Sequence, residues 1–350
     1  MKKISNSFFS VIIGIILIIA GIILIFWNEK NNVKNIAMID ELNEVAIDIS
    51  STNIDSSNDN KLVAVSGKLE LNGNLNDNIF GVKVLTAKLV RTVEMYQWSE
   101  SCSSDSNNNK NCTYSKTWNS TIIDSTKFEQ SGYNNPTYMS YESSTSVAAS
   151  AKLGDFNITN EQLKSLSADT KYNNFSFLPS GYKQNGSYVT NSSDLNNPEI
   201  GDIRISFTYN NSENISVLAK QNGNNLVDYE TEDGKLINHV SSGIKNASQI
   251  INEIENGNNI LKWILRAVGL LLEIIGFSAL FSLITTITSY VPILGSLVGT
   301  ATSVIGFILG SIVTLVCTAI AWIVYRPIIG IILLIVSGVL LYALIKKGKR

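Results

Sequence analysis

Apolar and polar positions are segregated along this chain rather than mixed. Phe8–Trp27 carries no charge over 20 positions, Ile274–Tyr325 none over 52, and Pro327–Ile345 none over 19. Crossing a bilayer core takes about 20 apolar helical residues. The first and last runs therefore fit one span each, and the 52-residue run fits two. Tyr290-Val291-Pro292-Ile293-Leu294-Gly295 supplies the Pro and Gly that break the long run. The pattern predicts spans over 8–27, 259–289, 296–324 and 327–345, with turns at 290–295 and 325–326 and short ends at 1–7 and 346–350. The second span begins with Lys262 and Arg266 and contains Glu273, so an interfacial rather than fully spanning placement stays open for it.

Between the apolar blocks the period changes to two. Lys61–Leu71, Val82–Trp98, Ile203–Tyr209 and Ile215–Gln221 read as strands punctuated by Gly, Asn and Asp. Helical signals are fewer. Asn35–Val45 is one. A second starts at Asn157 with Thr159 or Asn160 as N-cap, and a third, Ala247–Glu255, leads into the second span. Residues 28–258 are long enough to bury a core of their own. The fold class is therefore a membrane protein with four transmembrane helices and a β-rich α+β extracytoplasmic domain.

Charge orients this arrangement. Lys2 and Lys3 precede the first span, and Lys346, Lys347, Lys349 and Arg350 follow the last. Basic residues flanking spans stay cytoplasmic, and four spans return both ends to the same side. The domain over 28–258 is then extracytoplasmic or luminal. The first run is read as a retained anchor rather than a cleaved signal. It exceeds the usual 7–15 apolar residues, lacks a small-x-small site and ends on Phe26-Trp27-Asn28-Glu29. The net charge of −2 gives no basic excess for nucleic acid.

Candidate chemistry is sparse. The chain has one histidine, His239, which argues against a Ser-His-Asp triad and a multi-His metal site. No phosphate-binding glycine loop, GxSxG elbow or HExxH appears, and neither a metal nor a cofactor is expected. Cys102 and Cys112 bracket a polar loop between two strand signals, and a bridge across a hairpin neck fits an oxidising compartment. Cys317 reads as packing. Gly295, Gly299, Gly306 and Gly310 form two GxxxG pairs, which allow close helix approach, either inside one bundle or between copies. Glu273 lies deep in its span, as a hydrogen-bonded helix lock or as part of an intramembrane polar site. Lys262, Arg266 and Arg326, with Trp263 and Trp322, are either snorkelling interface anchors or a lipid-headgroup site.

A series of short motifs, in order along the chain, resembles the LUMA family, the transmembrane protein 43 family. They include Phe26-Trp27-Asn28-Glu29, Val65-Ser66-Gly67-Lys68-Leu69, Val93-Glu94-Met95-Tyr96-Gln97-Trp98 and Asn134-Asn135-Pro136. Further on come Pro198 to Phe207, Leu218-Ala219-Lys220-Gln221, Trp263 with Leu265-Arg266-Ala267 and Gly269, and Tyr325-Arg326-Pro327. The resemblance implies four spans and a large luminal or extracytoplasmic domain. It also implies a self-associating membrane scaffold, with a plasma-membrane location in a bacterium and the endoplasmic reticulum or inner nuclear membrane in a eukaryote. It carries over no catalytic residue. The expected function is a non-enzymatic scaffold that self-associates as a homo-oligomer and organises membrane lipids or partner proteins. The alternative is a lipid-headgroup-binding or intramembrane lipid-modifying protein.

Overall fold

The computed structural model describes residues 2–104, 110–288, 295–323 and 327–348, with side chains over 9–103, 110–281, 304–323, 328 and 330–342. The chain forms two compact units. One combines Met1–Glu44 with Ile251–Arg350, and the other is Val45–Ile250. The boundaries differ from the polarity-based ones. Residues 28–44 and 251–258, assigned above to the β-rich domain, lie in long helices of the first unit.

Five α-helices are described: α1 (Lys2–Val45), α2 (Asn160–Lys164), α3 (Ala247–Thr288), α4 (Gly295–Ile323) and α5 (Pro327–Gly348). Where the sequence suggests a span ending at Trp27 and a separate helix from Asn35, α1 is unbroken. The reason is a buried stripe of 3.6-residue period that passes through the polar stretch: Asn28, Glu29, Asn32, Val33, Met38, Ile39 and Leu42. At 1.5 Å per residue the 44-residue helix is about 66 Å long, roughly twice the ~30 Å hydrocarbon core. Three described segments are long and apolar enough to cross a membrane: Phe9–Val45, Ala247–Phe281 and Val304–Ile323. The described apolar part of α5, Gly330–Tyr342, is shorter.

Glycines set how closely these helices approach. A Cβ on Gly14 would lie 2.7 Å from the Gly276 carbonyl oxygen, and one on Gly21 would lie 3.1 Å from that of Gly269. Residues 14 and 21, like 269 and 276, are two turns apart on one face, so α1 and α3 cross antiparallel along a four-glycine seam. On α4, a Cβ at Gly306 would meet Ser278 Oγ at 2.7 Å, and one at Gly310 would meet Ile274 N at 3.1 Å. Gly306 and Gly310 of the predicted small-residue stripe thus pack within the chain, against α3. Gly330 of α5 approaches Ile323 and Ala319 of α4 in the same way.

The second unit is built on two seven-stranded sheets. In the first, Leu62–Leu71 runs antiparallel to Asn214–Asn222, with Val65 opposite Val217. The path continues through Ser150–Leu153, Phe156–Thr159 and Asn225–Val227 back to Asn214–Asn222 and so closes a ring. Val63, Val65, Leu153, Phe156, Ile158, Ile215 and Val217 form its core. In the second sheet Ile203–Tyr209 lies between Tyr188–Thr190 and Lys88–Ser104. Its alternate residues Ile203, Ile205 and Phe207 point inward with Phe80, Val93, Met95 and Val189.

Two local expectations change. The Val82–Trp98 run is two strands, Val82–Val84 and Lys88–Ser104, because Thr86 leaves the ladder and donates its hydroxyl to the Asn210 carbonyl at 2.6 Å. The helical signal at Asn157 belongs to a strand, Phe156–Thr159, since Phe156 and Ile158 are buried at period two. The helix begins after it, with Thr159 as N-cap in a capping box with Gln162. Lys88–Ser104 pairs with Lys110–Asn119 in a long hairpin. Cys102 and Cys112 face each other in register and are disulfide-bonded.

Candidate polar site of the helical unit

The apolar block of α1 ends at Trp27, and the next turn begins the polar stripe that holds Glu29. On the antiparallel α3, Arg266 reaches the same level. The carboxylate of Glu29 is fully buried, and Arg266 is 18% exposed. The pair is bidentate, with Arg266 Nε to Glu29 Oε1 at 2.5 Å and Nη2 to Oε2 at 2.7 Å. Trp322, at the end of α4, donates its indole N–H to Glu29 Oε2 at 2.7 Å. Three helices are joined by one carboxylate. A guanidinium is suited to this because its planar fork matches both carboxylate oxygens.

Trp263 stacks beneath the cations. Arg266 Cζ is 4.8 Å from its ring centroid and Lys262 Nζ 5.9 Å. Lys262 Nζ also donates to Asn259 Oδ1 at 2.7 Å, and its main-chain carbonyl accepts from Asn28 Nδ2 at 3.1 Å. Of the predicted cationic cluster, Lys262 and Arg266 are neighbours, while Arg266 is engaged by a carboxylate. Arg326 lies outside the described residues. The surroundings of Gly295 and Gly299 do too.

Glu273 lies seven residues beyond Arg266, two turns and about 10 Å further along α3. It is fully buried. Thr314 of α4 donates to its Oε2 at 2.7 Å, and Oε1 has no hydrogen-bond partner among the described residues. Gly21 of α1 makes room for it, because a Cβ there would sit 2.8 Å from Glu273 Cγ. Glu273 therefore sits where α1, α3 and α4 meet, on the same face of α3 as Arg266.

Above the Glu29–Arg266 pair, where α1 and α3 continue past the apolar runs, a cleft of about 300 Å³ opens. Asn32, Asp40, Glu255, Asn259, Lys262 and Trp322 are among its lining residues. Asn32 is 5% exposed, and its Nδ2 has no hydrogen-bond partner among the described residues.

Sequence reasoning singled out Lys262, Arg266 and Glu273 by their charge near or inside an apolar run. It missed Glu29 as a partner, since 237 residues separate it from Arg266. The signal available was an acid directly after one apolar run and a base directly inside another. Asn32, Thr314 and the Gly14/Gly21–Gly269/Gly276 seam carried no comparable signal. In the strand-rich unit, Glu94 and Arg204, both in motifs that carried the resemblance, pair across neighbouring strands with Arg204 Nε to Glu94 Oε2 at 2.6 Å. The Arg204 guanidinium lies between Trp118 and Tyr188, 4.5 and 5.0 Å from their ring centroids.

Comparison with known proteins agrees with the motif pattern. The sequence model described as Transmembrane protein 43 matches residues 95–327. The chain is 27% identical to Transmembrane protein 43 of Pongo abelii over 100% of its own length and 92% of that protein. It is 26% identical to the Rattus norvegicus protein of the same name over 93% of this chain and 87% of the relative. A Transmembrane protein 43 homolog of Drosophila melanogaster is 28% identical over 93% of this chain and 91% of the relative. No solved structure matches.

Proposed function

We propose, for a chain that belongs to the Transmembrane protein 43 family and is an integral membrane protein, that it is a non-enzymatic scaffold which self-associates and organises membrane lipids or partner proteins. In this reading all four long helices span, both ends lie in the cytoplasm, and the strand-rich domain is extracytoplasmic or luminal. The observation that carries it is the Glu29–Arg266–Trp322 clamp. The charges placed near the membrane level fix three helices to one another, which suits a static frame better than a moving gate. The glycine seam has the same effect, since close backbone approach over two turns resists sliding. Self-association then uses faces other than Gly306 and Gly310, which pack on α3. Native mass spectrometry of the full chain released from lipid nanodiscs, with in-membrane crosslinking, tests this. A defined oligomer is the expected result, and monomer alone in both experiments overturns it.

A second reading, a lipid-headgroup-binding protein, is favoured by one specific observation. Lys262 and Trp322, residues of the interface-anchor type, line a cleft at the ends of the apolar runs.

A further inference from the structure

The cleft between α1 and α3 has a chemical direction. Lys262 and Trp322 lie at its end nearest the apolar runs, with Asn32 on the facing helix. Asp40 is eight residues beyond Asn32 on α1, and Glu255 is seven residues before Lys262 on α3. Because the helices are antiparallel, with Gly21 level with Gly269, Glu255 lies about 5 Å and Asp40 about 12 Å beyond Asn32 along the axis. The donors are therefore at one end and the acids at the other.

The donor end is short of an acceptor. Asn32 Nδ2 is buried, lines the cleft and makes no hydrogen bond among the described residues. A buried amide N–H without a partner costs about 1–3 kcal/mol, which a ligand oxygen recovers. Lys262 supplies positive charge beside it, and Trp322 an apolar wall. Among the described residues the charged lining is Asp40, Glu255 and Lys262, two acids against one base. A purely anionic ligand would meet more negative charge than positive. A ligand with an anionic oxygen at one end and a cationic nitrogen at the other matches both ends.

The geometry points to a binding site for the headgroup of an amine-bearing zwitterionic phospholipid. Its phosphate accepts from Asn32 and Lys262, and its ammonium faces Glu255, with Asp40 farther out. A phospholipid carries its phosphate next to the glycerol that bears the acyl chains and its amine two carbons further on, the order in which the cleft presents its donors and then its acids. This rests on the second reading above and deepens it by naming the headgroup class and its contacts.

The test reconstitutes the full chain in nanodiscs of equimolar phosphatidylethanolamine and phosphatidylglycerol, and reads the lipids retained by native mass spectrometry after mild detergent extraction. The wild-type chain is expected to enrich phosphatidylethanolamine about tenfold, the size of one charge-assisted hydrogen bond. Asn32→Leu, close in volume, is expected to lower that retention about fivefold or more. The Asp40→Asn/Glu255→Gln pair keeps shape while removing the acids, and is expected to shift retention toward phosphatidylglycerol. Phosphatidylglycerol retained equally or preferentially by the wild type overturns the zwitterion assignment and leaves headgroup binding standing. No retained lipid overturns both. Binding of free phosphoethanolamine in detergent without any co-purifying lipid overturns the lipid source. Unchanged retention in both variants, with wild-type helicity by circular dichroism, overturns the placement in this cleft.

Discussion

Breaking the Glu29–Arg266 pair from its two sides should have unequal costs. Removing one partner of a buried ion pair costs about 3–5 kcal/mol, because the other charge is left uncompensated. Here the partners differ in exposure. Arg266→Met leaves a carboxylate with no exposure and, among the described residues, only the Trp322 N–H as donor, so its cost lies at the upper end, about 4–5 kcal/mol. Glu29→Gln leaves a guanidinium that is 18% exposed, still stacked on Trp263 and partly hydrated. Its cost is smaller, about 2–3 kcal/mol. The double variant Glu29→Gln/Arg266→Met leaves no buried charge, and should fall within about 1–2 kcal/mol of wild type, since apolar replacement of a whole buried pair is often near neutral. Reversible unfolding in mixed micelles, titrated with sodium dodecyl sulfate and followed by tryptophan fluorescence, measures all four proteins in one cycle. The signature is a coupling energy of several kcal/mol. Strictly additive single costs, or a larger cost for Glu29→Gln than for Arg266→Met, would refute the reasoning.

The remaining predictions concern packing, redox state and pH. Gly14→Val forces a side chain against the Gly276 carbonyl 2.7 Å from the Cβ position, and should cost about 1–3 kcal/mol. Gly257→Ala, in α3 with nothing within 4 Å of its Cβ position, should be neutral or stabilise by up to about 1 kcal/mol; one micelle unfolding series compares the two, and equal effects would discredit the seam. Cys102→Ser should loosen the outer part of the hairpin that the bridge closes over a ten-residue separation. Hydrogen exchange should rise within Ser99–Ser104 and Lys110–Ser115 while Ile203–Tyr209 stays protected, and faster exchange across the whole second sheet would contradict this. Burial, and then the neighbouring Tyr141, push the Tyr182 phenol above its ordinary value. A folded-state pKa above the unfolded one means that this contribution to stability is complete below the ordinary phenol pKa of about 10 and is lost as pH rises through the higher folded value. The difference in tyrosinate absorbance between wild type and Tyr182→Phe measures it, and titration of Tyr182 at or below the ordinary value would count against its half-buried packing.

The helical unit and the strand-rich unit were separately legible because each follows from a local period. Twenty uncharged residues from Phe8 to Trp27 admit little besides a buried helix. Ile203–Tyr209 and Lys61–Leu71 alternate or run apolar as strands must, and the observed strands Ile203–Tyr209 and Leu62–Leu71 agree to within a residue. Local reasoning failed where period and propensity disagreed. Asn28–Val45 is polar enough to read as loop followed by a short helix, and only the buried stripe facing α3 keeps α1 continuous. Phe156–Thr159 carries cap residues, yet its two buried apolar positions pair it into a sheet.

By itself the sequence determined that this chain has apolar segments of membrane-spanning length, that its intervening region is rich in strands, and which charges lie at unusual depth. These depend on composition and period, which are properties of neighbours along the chain. Only the tertiary structure decided that Arg266 is neutralised by Glu29, that Gly306 and Gly310 face α3, and that Asn32, Lys262, Asp40 and Glu255 share one cleft. Each of those depends on residues far apart in sequence meeting at atomic distance. That meeting is set by how closely glycine seams allow helices to approach and by the cost of leaving a charge unpaired, neither of which has a local period to read.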